Sequence, residues 1–226
     1  MVLSAGQNDL GRATVALERL CTRYWYPIYA FIRRRGSDHH GAEDLTQAFF
    51  THLFEKETLK KVDRQKGKFR SFLLATATHF LTNDWDKRNT HKRGGQHQII
   101  SLDGMAAEER YAQEPVEAQT PEHLFERRWA FTLMNQALFR LKDEYSLAGK
   151  AELFARLEPG LTGEVGLGLY VDWAVGLKMT EGAVRVALHR LRRRFGELLR
   201  SEIAHTVATP EQVDEELRHL LAAIAG

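Results

Sequence analysis

The stretch Tyr170–Arg194, YVDWAVGLKMTEGAVRVALHRLRRR, reads as two helices joined by a tight turn. Tyr170, Trp173, Ala174 and Leu177 give a short amphipathic helix. Gly176 is the residue expected to take a positive φ at the turn. Thr180 is placed to cap the following helix, and Glu181 falls in its first turn, where the helix dipole favours an acid. In that second helix Val184, Leu188, Leu191, Phe195 and Leu198 recur at steps of four, three, four and three, which makes one apolar stripe. Arg185, His189 and Arg192 share a neighbouring face, flanked by Arg190, Arg193 and Arg194. Six arginines and one glutamate lie between Arg185 and Arg200, a local charge of 6 − 1 = +5. A helix that buries one stripe and presents arginines beside it has the form of a major-groove reader. Charge alone would also describe a solvated basic helix, so the turn and the preceding helix decide for DNA.

The rest of the chain sets bounds on that reading. With 226 residues, 43% hydrophobic and 27% charged, it has the composition of a packed globular protein of one large or two small domains. Net charge is only +2, yet the basic residues are clustered, which makes local nucleic-acid footprints on a nearly neutral protein. The single cysteine, Cys21, excludes an intrachain disulfide and any multi-cysteine zinc site. No basic-then-apolar N-terminal signal is present, and no apolar run reaches the roughly 18 residues of a membrane span. The expectation is a reduced, cytoplasmic protein without membrane association. Strand signals are scarce and 3.6-residue periods dominate, which predicts an all-α fold of two helical blocks joined by a flexible acidic segment.

In the first block Leu17, Leu20, Tyr24, Ile28 and Phe31 keep helical spacing, and Pro27 is expected to kink that helix or start another. A second helix is expected from Ser37 or Asp38 to about Phe54, with Leu45, Phe49 and Leu53 inward. Glu43, Asp44, Gln47 and Thr51 line its other side, with Phe50 and Phe54 beside them. Acids flanking outward aromatics suggest a protein-docking face; the alternative is that both phenylalanines lie under a neighbouring helix. A third helix is expected from about Phe69 to Arg88, with Phe69, Phe72, Leu73, Thr76 and Phe80 on one side and Leu74, Leu81 and Trp85 on the other. Its end turns basic through Lys87, Arg88, His91, Lys92 and Arg93, where Trp85 could stack on an unpaired base while the cations hold phosphates.

These motifs, in this order, resemble a bacterial extracytoplasmic-function (ECF) sigma factor. The resemblance is carried by Ala42-Glu43-Asp44-Leu45-Thr46-Gln47, by Phe69-Arg70-Ser71-Phe72-Leu73-Leu74-Ala75-Thr76-Ala77, and by Tyr170–Ala174 with Met179–Arg192. It implies sigma domain two over residues 1–95, a linker over 96–120, sigma domain four over 121–205 and an additional C-terminal helix over 206–226. It implies no enzymatic activity and no cofactor or metal. Its partners would be core RNA polymerase and promoter DNA, with control by an anti-sigma factor or a protein kinase. Glu43, Asp44, Gln47, Phe50, Thr51 and Phe54 would correspond to the polymerase-docking surface. Asn83, Trp85, Lys87, Arg88, His91, Lys92 and Arg93 would correspond to the minus-10 and melting region, although His79 and Asn83 stand where the family more often carries Asn and Asp. Thr180, Glu181, Gly182, Arg185, Val186, His189, Arg190, Arg193 and Arg194 would correspond to the minus-35 reader.

Residues 96–120 carry five acids against Arg110, a net of −4, and 25 residues extend to at most about 80–90 Å. That reach covers two promoter elements about 50–70 Å apart on B-DNA. Domain four is expected to open with Thr120 as N-cap and Pro121 at the first helical position, followed by a core stripe of Leu124, Phe131, Met134, Leu138 and Leu141. Between Tyr145 and Leu169 five glycines and Pro159 form a stretch without the Lys-Ser/Thr ending of a phosphate loop. Thr209-Pro210-Glu211-Gln212 reads as a capping box before Val213, Leu217, Leu220 and Ile224, a helix expected to pack back on domain two or four.

Two rival classes are weighed against this reading. An enzyme is disfavoured, because His39-His40 falls in a turn, no ligand set has metal spacing and no nucleophile elbow is present. A helix-turn-helix regulator that is not a polymerase subunit would pair its reader with a dimerisation or ligand domain, and the N-terminal block instead resembles the polymerase-binding one. Thr46 and Thr51, at the docking helix, are the candidates for phosphorylation, with a plain surface role for Thr46 as the alternative.

Overall fold

The computed structural model describes residues 10–55, 68–90, 104–114, 120–163 and 165–225. Among the described residues the regular structure is helical, without strands. The helices are α1 (Leu10–Arg34), α2 (His39–Glu55), α3 (Phe69–Thr90), α4 (Gly104–Ala112), α5 (Pro121–Leu147), α6 (Ala151–Leu157), α7 (Leu167–Leu177), α8 (Glu181–Ala204) and α9 (Gln212–Ala225). Two compact units emerge: Met1–Thr132 with Ala204–Gly226, and Leu133–Ile203. The division falls inside α5, whose first part packs in the first unit.

The first unit is organised around aromatic side chains. Tyr24, Ile28 and Phe31 on α1 are buried, and Tyr24 stacks on Trp129 of α5 with ring centroids 4.2 Å apart. Phe31 meets Phe125 edge-on at 6.3 Å, and Phe69 of α3 lies 6.0 Å from Trp129. Each fully buried ring contributes roughly 1.5–3 kcal/mol of transfer free energy, so these contacts are a large share of the unit's driving force. Pro27 neither breaks nor restarts α1, which runs through it as one helix. Proline has no N–H to give to the helix, a local loss outweighed by the flanking burial of Tyr24, Ile28 and Tyr29. On α3, Phe69, Leu73 and Ala77 are buried, while Phe80 meets Phe49 of α2 at 5.8 Å.

On α5 the buried residues are Leu124, Phe125, Trp129, Ala130, Leu133, Ala137 and Leu141. This corrects the expected stripe: Phe131, Met134 and Leu138 are only half-buried, and the series 125, 129, 133, 137 and 141 faces inward at steps of four. Phe125 and Trp129 are held on that face by ring contacts with Phe31, Tyr24 and Phe69. Thr120 caps α5 by accepting the His123 N–H at 3.2 Å.

Ionic contacts close the first unit. Helix α4 lies within the acidic segment expected to be a flexible linker, yet Glu108 binds the Arg33 guanidinium through both oxygens, at 2.6 and 3.1 Å. Glu114, buried, accepts from Tyr26 at 2.8 Å and pairs with Arg128. Two acids counted as solvated linker charge are therefore structural. Burial first, and then Glu114, pushes the Tyr26 phenol well above its ordinary range.

Helix α9 belongs to the first unit. Its Glu216 is 1% exposed and accepts from Arg70 Nε at 2.9 Å, while Lys68 Nζ lies 3.0 Å from both Glu215 and Glu216. Arg70 also pairs with Glu126 of α5, which His219 approaches at 3.2 Å. The turn before α9 contributes too, because the Thr206 carbonyl accepts the Phe69 N–H at 2.9 Å, satisfying one of the orphan donors at the start of α3. The capping reading is met in part: Gln212 reaches back to the Ala208 N–H at 3.0 Å, but the helix proper begins at Gln212 rather than Pro210.

Candidate nucleic-acid interface

In the second unit α7 and α8 are joined by Lys178, Met179 and Thr180. The left-handed residue at the end of α7 is Lys178, at φ 53° and ψ 42°, and not Gly176 as the sequence suggests. Its N–H and that of Met179 return to Val175 and Ala174 at 3.2 and 2.9 Å, satisfying terminal carbonyls of α7. Gly176 stays inside α7 for a different reason. The Arg156 guanidinium of α6 comes within 3.1 Å of where a Cβ would stand, so the glycine permits a close approach. Thr180 caps α8, its hydroxyl accepting the Ala183 N–H at 3.2 Å.

Val184, Leu188, Leu191 and Leu198 are buried, while Phe195 is half-buried. Glu181, Gly182, Arg185, Val186, His189, Arg190, Arg193 and Arg194 are exposed together on α8, with Thr180 exposed at its cap. Their environments differ, and this is what the sequence could not show. Arg185 lies over the Tyr170 ring of α7 at 4.1 Å from its centroid and 3.9 Å from Glu181, so its fork is oriented at the N-terminal end of the helix. Tyr170 was placed on the apolar face by the sequence; its second role is to position this arginine.

Arg192 leaves the basic face. Its Nε and Nη2 donate to the carbonyls of Gly160 and Gly163 at 2.8 and 2.7 Å, which corrects its grouping with Arg185 and His189. The glycine-rich stretch gains a purpose from this. A Cβ on Gly160 would stand 2.8 Å from Trp173, 3.1 Å from Val165 and 3.2 Å from Leu188, so the loop lies directly on the core side chains of α7 and α8. Arg194 is held by both oxygens of Glu144 at 2.8 Å and by Glu197 at 3.0 Å, and Arg193 by Glu197 at 3.2 Å. The hydrogen bonds from Arg194 hold the Glu144 carboxyl below its ordinary range. Both arginines are exposed, and each must exchange an acid for any phosphate it binds.

In the first unit Asp44 and Thr51 of α2 are exposed, Glu43, Gln47 and Phe54 half-buried. Phe50 is 4% exposed, packed against Phe49 at 5.3 Å, so it is a core residue and leaves the expected outward face. Thr46 is fully buried and its hydroxyl donates to the Ala42 carbonyl at 2.6 Å, which excludes the surface position that phosphorylation needs in this fold. Thr51 likewise donates to the Gln47 carbonyl at 3.0 Å, but from an exposed position. His39 is the first residue of α2, which corrects its placement in a turn; His39, His40 and Glu43 come together there. On α3, Asn83 is exposed and lies 2.7 Å from His79 Nδ1. Trp85, Lys87 and Arg88 continue α3, whereas His91, Lys92 and Arg93 lie outside the described residues.

Residues 20–90 match the family model for sigma-70 region 2, a span that runs from α1 to the end of α3. Neither curated proteins nor solved structures give a match to this chain. Over that region the chain is similar to the sigma-70 sigma factors. No helix among the described residues is long and apolar enough to cross a membrane.

Proposed function

We propose that this chain is an ECF-type sigma factor that binds core RNA polymerase and directs initiation at promoters of one sequence class. The match of residues 20–90 to sigma-70 region 2 carries this reading. Residues 1–95 act as domain two, docking on polymerase with Glu43, Asp44, Gln47, Thr51 and Phe54. The end of α3, from Asn83 through Arg88 and on to Arg93, engages the minus-10 element. Residues 121–205 act as domain four, with Arg185, Val186, His189 and Arg190 reading minus-35 bases and Arg193 and Arg194 holding phosphates. Residues 96–120 connect the two, and the protein works in the cytoplasm, where its polymerase is.

The exposed, oriented Arg185 at the start of α8 supports the base-reading role, because side chains near the N-terminus of a recognition helix reach base edges. In-vitro transcription with purified core polymerase on a library of promoter fragments tests the proposal. Defined start sites that depend on this protein are expected. Specific DNA binding with no start sites would instead identify a helix-turn-helix regulator outside the polymerase.

A further inference from the structure

We propose that His39, His40 and Glu43, at the start of α2, form a binding site for one divalent transition-metal ion of the zinc, cobalt or nickel type. The three side chains each offer a ligand atom, and these atoms all lie within 4.8 Å of one another. Glu43 Oε2 is 3.8 Å from His39 Nε2 and 3.8 Å from His40 Nδ1. Ligands about 2.0–2.1 Å from a shared tetrahedral ion stand roughly 3.4 Å apart, so a small rotation of the side chains closes the set. His40 has the freedom for it, with 88% of its side chain exposed. Two imidazoles and one carboxylate suit a borderline-soft ion, and three protein ligands leave a coordination position for water or for a group from a partner.

Hydrogen-bonding groups already stand behind this set. His39 Nδ1 stands 3.0 Å from the hydroxyl of the fully buried Tyr29 and 3.6 Å from Glu108 Oε2. Tyr29 in turn donates to Glu108, which the Arg33 guanidinium fixes from the other side. A metal-ligating histidine characteristically uses its second ring nitrogen in this way, on an oxygen that sets the ring plane. Here the arrangement leaves Nε2 on the Glu43 side. The positive end of the α2 dipole works against a cation, and the acids Asp38, Glu43 and Glu108 around it work in favour. The same network ties α1, α2 and α4 to the site, so an ion bound there would rigidify the corner where those helices meet.

The test is titration of the untagged, full-length protein with Co²⁺, followed by visible ligand-field absorption, and with Zn²⁺ by calorimetry near neutral pH. One saturating equivalent with a nitrogen- and oxygen-ligated spectrum is expected. His40→Ala, at an exposed position that leaves the fold intact by circular dichroism, should weaken binding about tenfold or more. Tyr29→Phe, which removes only the hydroxyl beside His39 Nδ1, should also weaken it, by about 10–100-fold. Absence of a one-to-one site, or wild-type affinity in folded His40→Ala, would overturn the proposal.

Discussion

Replacing Glu216 by Ala should release the C-terminal helix from the first unit and lower its stability by about 3 kcal/mol. Glu216 and Arg70 are 1% and 5% exposed, so both ends of the pair lie out of water. Removing one partner of a buried pair costs roughly 3–5 kcal/mol, since the other charge stays desolvated. Arg70 keeps Glu126, and Lys68 keeps Glu215, which places the loss at the lower end of that range. For a folding unit of this size, about 3 kcal/mol corresponds to a fall in melting temperature of roughly 6–12 °C. Burial alone would raise the Glu216 pKa, but Arg70 and Lys68 outweigh it and hold the carboxyl below its ordinary value. A lowered folded pKa stabilises above the unfolded glutamate value, near about 4.3, and that stability is lost as pH falls through the folded value. Wild type and variant should therefore differ in full at neutral pH and converge in acid below that window. Differential scanning calorimetry at several pH values measures the loss. Amide exchange at Phe69, whose N–H is bonded to Thr206, reports local release, and it should accelerate in the variant. A variant less than about 1 kcal/mol weaker, with Phe69 exchange unchanged, would refute the claim that this pair holds α9 in place.

Lys178→Gly should stabilise the second unit by about 1 kcal/mol in urea denaturation, because it relieves a side chain held in the left-handed region. Gly160→Ala should cost about 1–3 kcal/mol in thermal unfolding, since the added methyl meets Trp173 at 2.8 Å. Under the proposed function, Arg185→Ala should lose about 1–3 kcal/mol on the cognate minus-35 element and relax base choice there. Arg193→Ala should weaken all sequences alike and flatten the salt slope by about one or less, because Glu197 already occupies that arginine; fluorescence titrations on cognate and scrambled duplexes separate the two. Asp44→Lys, at an exposed position on α2, should weaken binding to core polymerase by about 1.4 kcal/mol or more, a tenfold rise in Kd, with the melting temperature unchanged.

Local pattern was sufficient for the elements themselves. The 3.6-residue period placed α2, α3, α7 and α8 within a few residues of their observed limits, and Thr120 and Thr180 cap helices as their positions implied. Capping and periodicity are properties of a few neighbouring residues, so a sequence displays them directly. The basic face of α8 was legible for the same reason: residues three and four apart share a side of a helix whatever surrounds it.

What each of those side chains does was decided by residues distant in the chain. Arg192 and Arg194 look equivalent in the run Arg192-Arg193-Arg194, yet one binds loop carbonyls 32 and 29 residues away and the other a glutamate 50 residues away. Phe50 follows Phe49 in sequence, and only the packed helices show that both are buried. The positive φ falls on Lys178, while Gly176 stays helical with Arg156 packed against it, a contact no local rule contains. Glu108 and Glu114 counted only as charge in the sequence; folding set each against a named arginine and took Glu114 out of water. Helical periodicity is written within one turn of chain, whereas the partner of a charge or a ring is fixed only when the whole unit closes around it.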